Sequence, residues 1–238
     1  MVAPPSSGPA RLILFDIDGT LLLTHGAGRE ATRRAMEEVF GTSAGLDAHH
    51  FGGKTDWQTL VELLGPHGVD DQTIAAAMPA YHAAMGRHIS QIIDDYHVHS
   101  LAGARELVSA LRARADVLLG LVTGNVGSAA AVKLRAAGFD PAWFPIGAYG
   151  HEAHARADLP PVALRRAVAH YGRPLAPADV IVIGDTPADV DCARAHGMVA
   201  VAVSTGFSPR EALLAAGPDH LLGSLAEFMP ALAPSLLP

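Results

Sequence analysis

The chain is poor in several residue types that mark particular classes of protein. Its 238 residues include one cysteine, Cys192, which excludes an internal disulfide framework and a cysteine-based zinc site. It has only two lysines, Lys54 and Lys133, and a formal net charge of −7. We therefore do not expect nucleic acid as the main partner, because proteins that bind nucleic acids carry basic patches. No apolar run approaches the ~18 residues of a membrane-spanning helix, so no membrane partner is expected either.

The first ten residues, MVAPPSSGPA, contain no basic residue and no hydrophobic segment. A secretory signal peptide needs both, so we interpret this stretch as a disordered tail. A cytoplasmic location is then the default expectation.

Half of the residues are hydrophobic, which is enough for one large core or for a core with a small insert. Short apolar runs bounded by turn residues predict buried strands. Helical patterns separate these runs, and the alternation predicts an α/β fold with a doubly wound, Rossmann-like parallel sheet. The predicted strands cover residues 12–15, 117–122, 145–149, 180–183 and 199–203.

A long stretch after the first predicted strand shows no strand pattern. Helical periodicity over about 29–40 and 71–93 predicts a mostly α-helical insert there. The glycines of Thr24-His25-Gly26-Ala27-Gly28 suggest a hinge at its start. The expected domains are a discontinuous sheet core and an inserted helical domain, at residues 1–23 with 99–238, and 24–98.

Polar side chains follow three of the predicted strands. Asp16 and Asp18 follow the strand at 12–15, Thr123 and Asn125 follow the strand at 117–122, and Asp185 follows the strand at 180–183. Ligands of parallel α/β sheets bind at the carboxyl ends of strands, so these residues are expected to converge on one site. Two carboxylates as close as Asp16 and Asp18 repel each other, and a bound divalent cation is the simplest means of keeping them together.

The string Asp16-Ile17-Asp18-Gly19-Thr20 resembles the first motif of the haloacid dehalogenase superfamily. The resemblance implies that Asp16 attacks phosphorus and becomes an aspartyl-phosphate. It implies that Asp18 first protonates the leaving oxygen and then activates water as a base.

Two later segments resemble further motifs of that superfamily, in the expected order. Val122-Thr123-Gly124-Asn125 resembles the second motif, which implies that Thr123, Gly124 and Asn125 hold the phosphate with a hydroxyl and backbone amides. Gly184-Asp185-Thr186-Pro187-Ala188-Asp189 resembles the fourth. The resemblance implies a Mg²⁺ ion on Asp16, Asp185 and the backbone carbonyl of Asp18, with Asp189 behind them or bound through water.

The third motif departs from the family pattern. The family usually places a lysine there, and this chain has no lysine after Lys133. Lys133 lies about two helical turns past the phosphate turn, and we expect it to be exposed. Arg156, which precedes a predicted helix, is the candidate for the missing positive charge, because arginine is always charged and binds phosphate in a fork.

The helical insert matches the position of the family's cap, which closes over the site and selects the leaving group. The segment Phe51-Gly52-Gly53-Lys54-Thr55-Asp56 resembles the turn that reaches from cap to core. Lys54 is therefore a candidate substrate contact, although a solvated lysine is an equally good interpretation. The same alternatives hold for His25 at the hinge.

The thirteen histidines invite a metal hypothesis, but none of them forms the HExxH pattern. The closest sets in sequence are His97 with His99, His49 with His50, and His151 with His154. We do not expect a zinc site from these spacings.

The motifs together predict a capped phosphatase similar to the phosphoglycolate-phosphatase-like group. It would hydrolyse a small-molecule phosphomonoester with Mg²⁺ through an aspartyl-phosphate. Two alternatives remain open: a phosphomutase of the beta-phosphoglucomutase type, and a non-catalytic protein that binds a phosphorylated ligand. The sequence does not indicate which phosphate ester is used or the oligomeric state.

Overall fold

The structure is a computed structural model that describes residues 11–232 and residue 237. The tail predicted for residues 1–10 lies outside the described residues. In the part of the chain that is described, no helix is both long and apolar enough to cross a membrane.

A six-stranded parallel sheet forms the centre of the fold, which confirms the predicted α/β class. Its strands are β1 (Arg11–Phe15), β4 (Val117–Thr123), β5 (Ile146–Tyr149), β6 (Val180–Gly184), β7 (Val199–Val203) and β8 (His220–Leu222). Their spatial order is β5-β4-β1-β6-β7-β8. Two further short strands, β2 (Leu22–Leu23) and β3 (His99–Ser100), pair antiparallel in a separate ribbon.

Strand β1 lies between the other two strands that carry motifs, β4 and β6. Its side chains alternate between the faces of the sheet: Leu12 and Leu14 enter one apolar cluster, and Ile13 and Phe15 enter the other. A strand covered on both faces needs a continuous apolar run, as the sequence shows. The arrangement brings the carboxyl ends of three neighbouring strands to one edge.

Six helices cover the two faces of the sheet. Helices α4 (Ala104–Arg112), α5 (Gly127–Ala136) and α9 (Phe228–Ala231) contribute to the cluster that contains Phe15. The cluster that contains Leu14 takes residues from α6 (Leu159–Tyr171), α7 (Pro187–Arg194) and α8 (Arg210–Ala216).

The segment between β2 and β3 is helical, as predicted, with α1 (Ala27–Phe40), α2 (Asp56–Leu64) and α3 (Asp71–Ile92). These helices bury their own apolar cluster, with Tyr81 fully inside it. Val126 and Ala129, at the start of α5, belong to the same cluster. The insert therefore packs on the sheet domain through the helix that follows the second motif.

Candidate active site

Asp16 directly follows β1 and is buried, with 6% of its surface exposed. Its backbone N–H donates to the carbonyl of Ile183 at 2.9 Å, which ties the end of β1 to the neighbouring strand. Its Oδ1 lies 3.0 Å from Nη2 of Arg156. Asp16 therefore sits at the sheet edge, where the strand order predicts a ligand.

Asp185 follows β6 and faces Asp16 across this edge. Its Oδ2 accepts a hydrogen bond from the backbone N–H of Phe207 at 3.0 Å, and its Oδ1 accepts one from the hydroxyl of Thr20 at 3.3 Å. A Cβ atom on Gly206 would lie 1.8 Å from Asp185 Oδ2, so the carboxylate packs against bare backbone. Only glycine permits this approach.

Asp189 completes a buried cluster of three carboxylates. One carboxylate oxygen of each of Asp16, Asp185 and Asp189 lies within 4.8 Å of the others. Asp189 Oδ2 already accepts hydrogen bonds from the backbone N–H and the hydroxyl of Thr186, at 3.0 and 2.6 Å. Its Oδ1 accepts from Arg156. Asp189 is thus positioned behind the other two, as a residue that orients Arg156.

The cluster holds more negative charge than its protein partners balance. Burial raises the pKa of Asp16 to about 6 despite the neighbouring Arg156. Burial, followed by the charges of Asp16 and Asp189, raises the pKa of Asp185 to about 8. Buried carboxylate oxygens with an unmet demand for positive charge are suitable ligands for a hard divalent cation.

Arg156 reaches this cluster from a short 3-10 helix, Arg156–Asp158, that precedes α6. Its Nη2 donates to the carbonyl of Val122 at 3.2 Å and to Asp189, and it forms an ion pair with Asp16. Within residues 11–232 and 237, its Nε is buried and has no hydrogen-bond partner. Arg156 thus lies beside Asp16 and Asp189, and its role as the positive charge of the third motif stays a prediction.

Lys133 is buried, with only 4% of its surface exposed, so the prediction that it is exposed is wrong. Its Nζ donates to Asp18 Oδ2 at 2.7 Å and to Asn125 Oδ1 at 2.6 Å. Helical side chains point toward the N-terminus of their helix, so a long side chain two turns into α5 reaches back to the turn before it. A second cation therefore joins the site, although Lys133 was expected to be exposed.

The turn between β4 and α5 presents Gly124 and Asn125 to the cavity. Asn125 Nδ2 donates to Asp18 Oδ2 and to the hydroxyl of Thr123, at 2.8 Å in both cases. Thr123 is fully buried behind Asn125. The hydroxyl of Thr123 thus positions Asn125, and Asn125 with Lys133 positions Asp18.

The segment at residues 51–56 of the insert touches this turn through its backbone. The N–H of Asp56 donates to the carbonyl of Gly124 at 2.7 Å, and the carbonyl of Lys54 would lie 1.9 Å from a Cβ on Gly124. Lys54 lines the cavity, and its ammonium pairs with Glu62. Its contact with a substrate stays a prediction.

Asp56 has a structural role that the sequence pattern of the segment at residues 51–56 does not indicate. Thr55 caps α2 by accepting from the N–H of Gln58 at 2.9 Å. Asp56 is buried, and its Oδ2 accepts from the N–H of Val126 at 2.7 Å. The carboxylate of Asp56 thus fastens the insert to the start of α5.

The stability of the folded chain should depend on pH through Asp56. Burial raises the pKa of Asp56 from 3.8 to about 6, so the folded chain holds this proton more tightly than the unfolded chain. The resulting stabilisation is present at low pH and is lost as pH rises through about 6. Relative to Asp56→Asn, the wild-type protein should lose about 1 kcal/mol of unfolding free energy between about pH 5 and pH 7.

Urea unfolding of both proteins at the two pH values measures this difference, because effects of the other carboxylates cancel. Asp191→Asn, at an exposed position on α7, is the control and should follow the wild-type pH dependence. An Asp56→Asn curve parallel to wild type would contradict the prediction.

A cavity of about 570 Å³ lies between the sheet edge and the insert. Asp16, Asp18, Lys133 and Arg156 line it from the sheet domain. The insert contributes residues such as Arg29, Thr32, Phe51 and Met85, and Phe207 from the loop after β7 also lines the cavity. This volume suits a small-molecule ligand. Phe207 was missed by sequence reasoning, because the loop after β7 matches no motif there.

Known proteins resemble this chain over most of its length. A family model described as haloacid dehalogenase-like hydrolase matches residues 10–197. Phosphoglycolate phosphatase from Synechococcus elongatus is 32% identical over 227 residues, which cover 92% of this chain and 95% of that protein. Protein CbbY from Rhodobacter capsulatus is 30% identical over 213 residues, covering 83% and 87%. The solved structure of CbbY from Rhodobacter sphaeroides in complex with phosphate has a TM-score of 0.69 at 21% identity, covering 92% and 96%, and supports the fold.

Proposed function

Because this chain belongs to the haloacid dehalogenase-like hydrolases, we propose that it is a phosphatase that hydrolyses a small phosphomonoester through a phosphorylated Asp16. The observation that carries the proposal is the placement of Asp16. Its carboxylate lines the cavity, beside Arg156 and Asp185 and two residues before Asp18. A relative that is named a phosphatase and shares 32% identity supports the same activity.

The proposed metal is Mg²⁺, held by Asp16, Asp185 and the backbone carbonyl of Asp18. The buried oxygens of this cluster and their raised pKa values fit such an ion. When bound, Mg²⁺ would neutralise charge on the carboxylates and on the phosphoryl oxygens. Asp189 would support the site through Arg156, because its own oxygens are engaged by Thr186 and Arg156.

In the first step, an oxygen of Asp16 attacks phosphorus and the bond from phosphorus to the ester oxygen breaks. Arg156, which lines the cavity beside Asp16, binds a phosphoryl oxygen through its guanidinium. Asp18 donates a proton to the leaving alkoxide. Lys133 and Asn125 both bind Oδ2 of Asp18, so Oδ1 is the oxygen that carries this proton.

In the second step, Asp18 takes a proton from water, and the resulting hydroxide attacks the phosphoryl group. The bond between phosphorus and Asp16 breaks, which releases phosphate and restores the carboxylate. Covalent catalysis of this kind divides one difficult displacement into two easier ones.

The helical insert at residues 24–98 is proposed to act as the cap. Its backbone docks on the sheet domain through Asp56 and through Trp57, whose N–H donates to Gly150 at 3.1 Å. The hydroxyl of Thr55 donates to the carbonyl of His154 at 2.6 Å. Docking excludes bulk water from the cavity, and release of these bonds would let product leave.

The deciding experiment measures phosphate release from a panel of small phosphomonoesters, with Mg²⁺ and with chelator. Turnover that depends on Mg²⁺ is expected, and the best substrate identifies the leaving group. Isomerised sugar phosphate in place of free phosphate would favour a mutase. Binding of the esters by folded protein without turnover would contradict the proposal and favour a binding protein.

Lys133→Met is expected to lower kcat by about tenfold to a hundredfold with little change in KM. The substitution removes the ammonium that orients Asp18, and a positioned acid contributes about 10²–10⁴ to rate. Asp18 is partly exposed, so water can solvate it in the variant and the fold should persist. Steady-state kinetics of phosphate release provides the measurement.

Arg135→Met is the matched control, because Arg135 is exposed on the same helix two residues later. It should keep the wild-type kcat. Equal losses of kcat in both variants would show that any such substitution in α5 impairs the enzyme. This result would contradict a specific role for Lys133.

A further inference from the structure

Three histidines meet at the two connections between the sheet domain and the insert. His25 lies two residues after β2, His99 is the first residue of β3, and His97 lies two residues before it. Their ring centroids are separated by 5.5 Å (His25–His97), 5.2 Å (His25–His99) and 4.9 Å (His97–His99). One ring nitrogen of each histidine lies within 4.8 Å of those of the other two.

Two independent observations indicate that this cluster binds a ligand. In the described part of the chain, His25 is the one non-glycine residue with a positive φ, at 45°. Such backbone strain is uncommon and is concentrated at functional sites. His99 Nδ1 is buried and has no hydrogen-bond partner among residues 11–232 and 237, although buried ring nitrogens are normally paired.

We propose that His25, His97 and His99 bind a divalent first-row transition-metal ion, Zn²⁺ or Ni²⁺ by ligand type, at a site separate from the carboxylate cluster. Imidazole nitrogens suit these ions, whereas Mg²⁺ requires oxygen ligands. Nitrogens on a tetrahedral Zn²⁺ lie roughly 3.3 Å apart, as metal–nitrogen bonds of about 2.0–2.1 Å require. His25 and His97 are exposed, so their rings are free to rotate toward that spacing.

In the other close imidazole pair, one ring nitrogen of each histidine already accepts a hydrogen bond. The rings of His82 and His151 are 4.5 Å apart. His82 Nε2 accepts from the N–H of Ser128 at 3.1 Å, and His151 Nδ1 accepts from the N–H of Gly127 at 3.4 Å. These two nitrogens are therefore occupied by backbone N–H groups at the start of α5. The three-histidine cluster is therefore the stronger metal site.

An ion at this site would join the two connections of the insert. Leu23 and His99 are paired in the ribbon, and His25 continues the first connection toward α1. A cross-link at this point restrains the hinge at residues 24–28, and local opening of the ribbon becomes slower. The predicted consequence is a hinge whose stiffness depends on the metal.

Isothermal titration of untagged protein with Zn²⁺, in excess Mg²⁺ that saturates the carboxylates, tests the site. One equivalent should bind to the wild-type protein. His97→Ala should weaken this binding by about tenfold or more, since even residues that only support metal ligands are worth about 10–100-fold. Loading with Co²⁺ should give the visible spectrum of a low-coordinate nitrogen site, as coordination geometry is diagnostic.

His25→Gly separates loss of a ligand from loss of the fold. Glycine adopts a positive φ without strain, so the metal-free variant should be at least as stable as wild type while it binds Zn²⁺ more weakly. Zn²⁺ should slow hydrogen exchange at residues 20–26 and 96–101 in the wild-type protein and leave it unchanged in this variant.

His67→Ala, at an exposed histidine on the insert outside the cluster, is the control and should retain wild-type affinity. The proposal is overturned if wild type binds no Zn²⁺ in excess Mg²⁺, or if His97→Ala and His25→Gly bind it as tightly as wild type does.

Discussion

Asp16→Asn is expected to lower phosphate release by at least about three orders of magnitude, since removal of a covalent nucleophile leaves only the residual effects of binding and charge. Asparagine has the same shape as aspartate, so it fills the same place beside Arg156. Its amide oxygen is a poor nucleophile and carries no charge to pair with the guanidinium. Steady-state release of phosphate from the best ester measures the loss.

A second readout distinguishes the nucleophile from a residue that only binds metal. Wild-type protein that is quenched rapidly during turnover should show a mass gain of one phosphoryl group on the peptide that contains Asp16. The Asp16→Asn protein should show none. Asp191→Asn, an exposed carboxylate change on α7, should match wild type in both assays. Retained turnover in Asp16→Asn would rule out the covalent mechanism without affecting the assignment of the fold.

Arg156→Met is expected to destabilise the protein by about 3–5 kcal/mol in the absence of divalent cations. Arg156 is the guanidinium that contacts the buried Asp16 and Asp189, and its loss leaves both carboxylates without that compensation. Methionine retains much of the apolar volume, so the loss reports mainly on charge. Urea unfolding with chelator present gives the difference in unfolding free energy.

Mg²⁺ should restore part of this stability, because an ion that binds only the folded chain stabilises it by mass action. The recovery should be larger in Arg156→Met than in wild type, since the variant cluster has the greater unmet negative charge. Arg156→Lys retains a charge and should lose less stability. Wild-type stability in Arg156→Met, or a loss that Mg²⁺ does not affect, would contradict the electrostatic account of the cluster.

The long strands of the sheet core were predictable because each of them is buried on both faces. The runs before Asp16, Asn125 and Asp185 are short and continuously apolar, and the residues that follow them are polar. A pattern of this kind specifies both the strand and the end at which the site forms. By contrast, β8 and the β2–β3 ribbon have two or three residues each, too few to show any period.

Lys133 and Asp56 show where the sequence was insufficient. Helical periodicity reports the side of the helix on which Lys133 lies, but its burial depends on how the insert packs over α5. Asp56 is the first residue of α2, and its pairing with Val126 joins two segments 70 residues apart in the chain. Contacts between such distant segments arise from tertiary packing, and no local sequence pattern predicts them.

The prediction of Arg156 rested on the position at which a positive charge is expected, rather than on a residue type. The expected lysine was absent, and the position before α6 was the place where a cation had to enter the site. The structure puts its guanidinium on Asp16 and Asp189. Its unused Nε was not foreseeable, because the direction of the side chain depends on the close fit around Val122.

The antiparallel pairing of Leu23 with His99 brings the two ends of the insert side by side. A turn of a few residues could join them, so the entire insert could be gained or deleted in one genetic event without moving a strand of the sheet. Deletion would nevertheless uncover Val126 and Ala129, which lie in the apolar cluster of the insert. A shortened chain would therefore be connected correctly but prone to self-association, unless polar residues replaced both side chains.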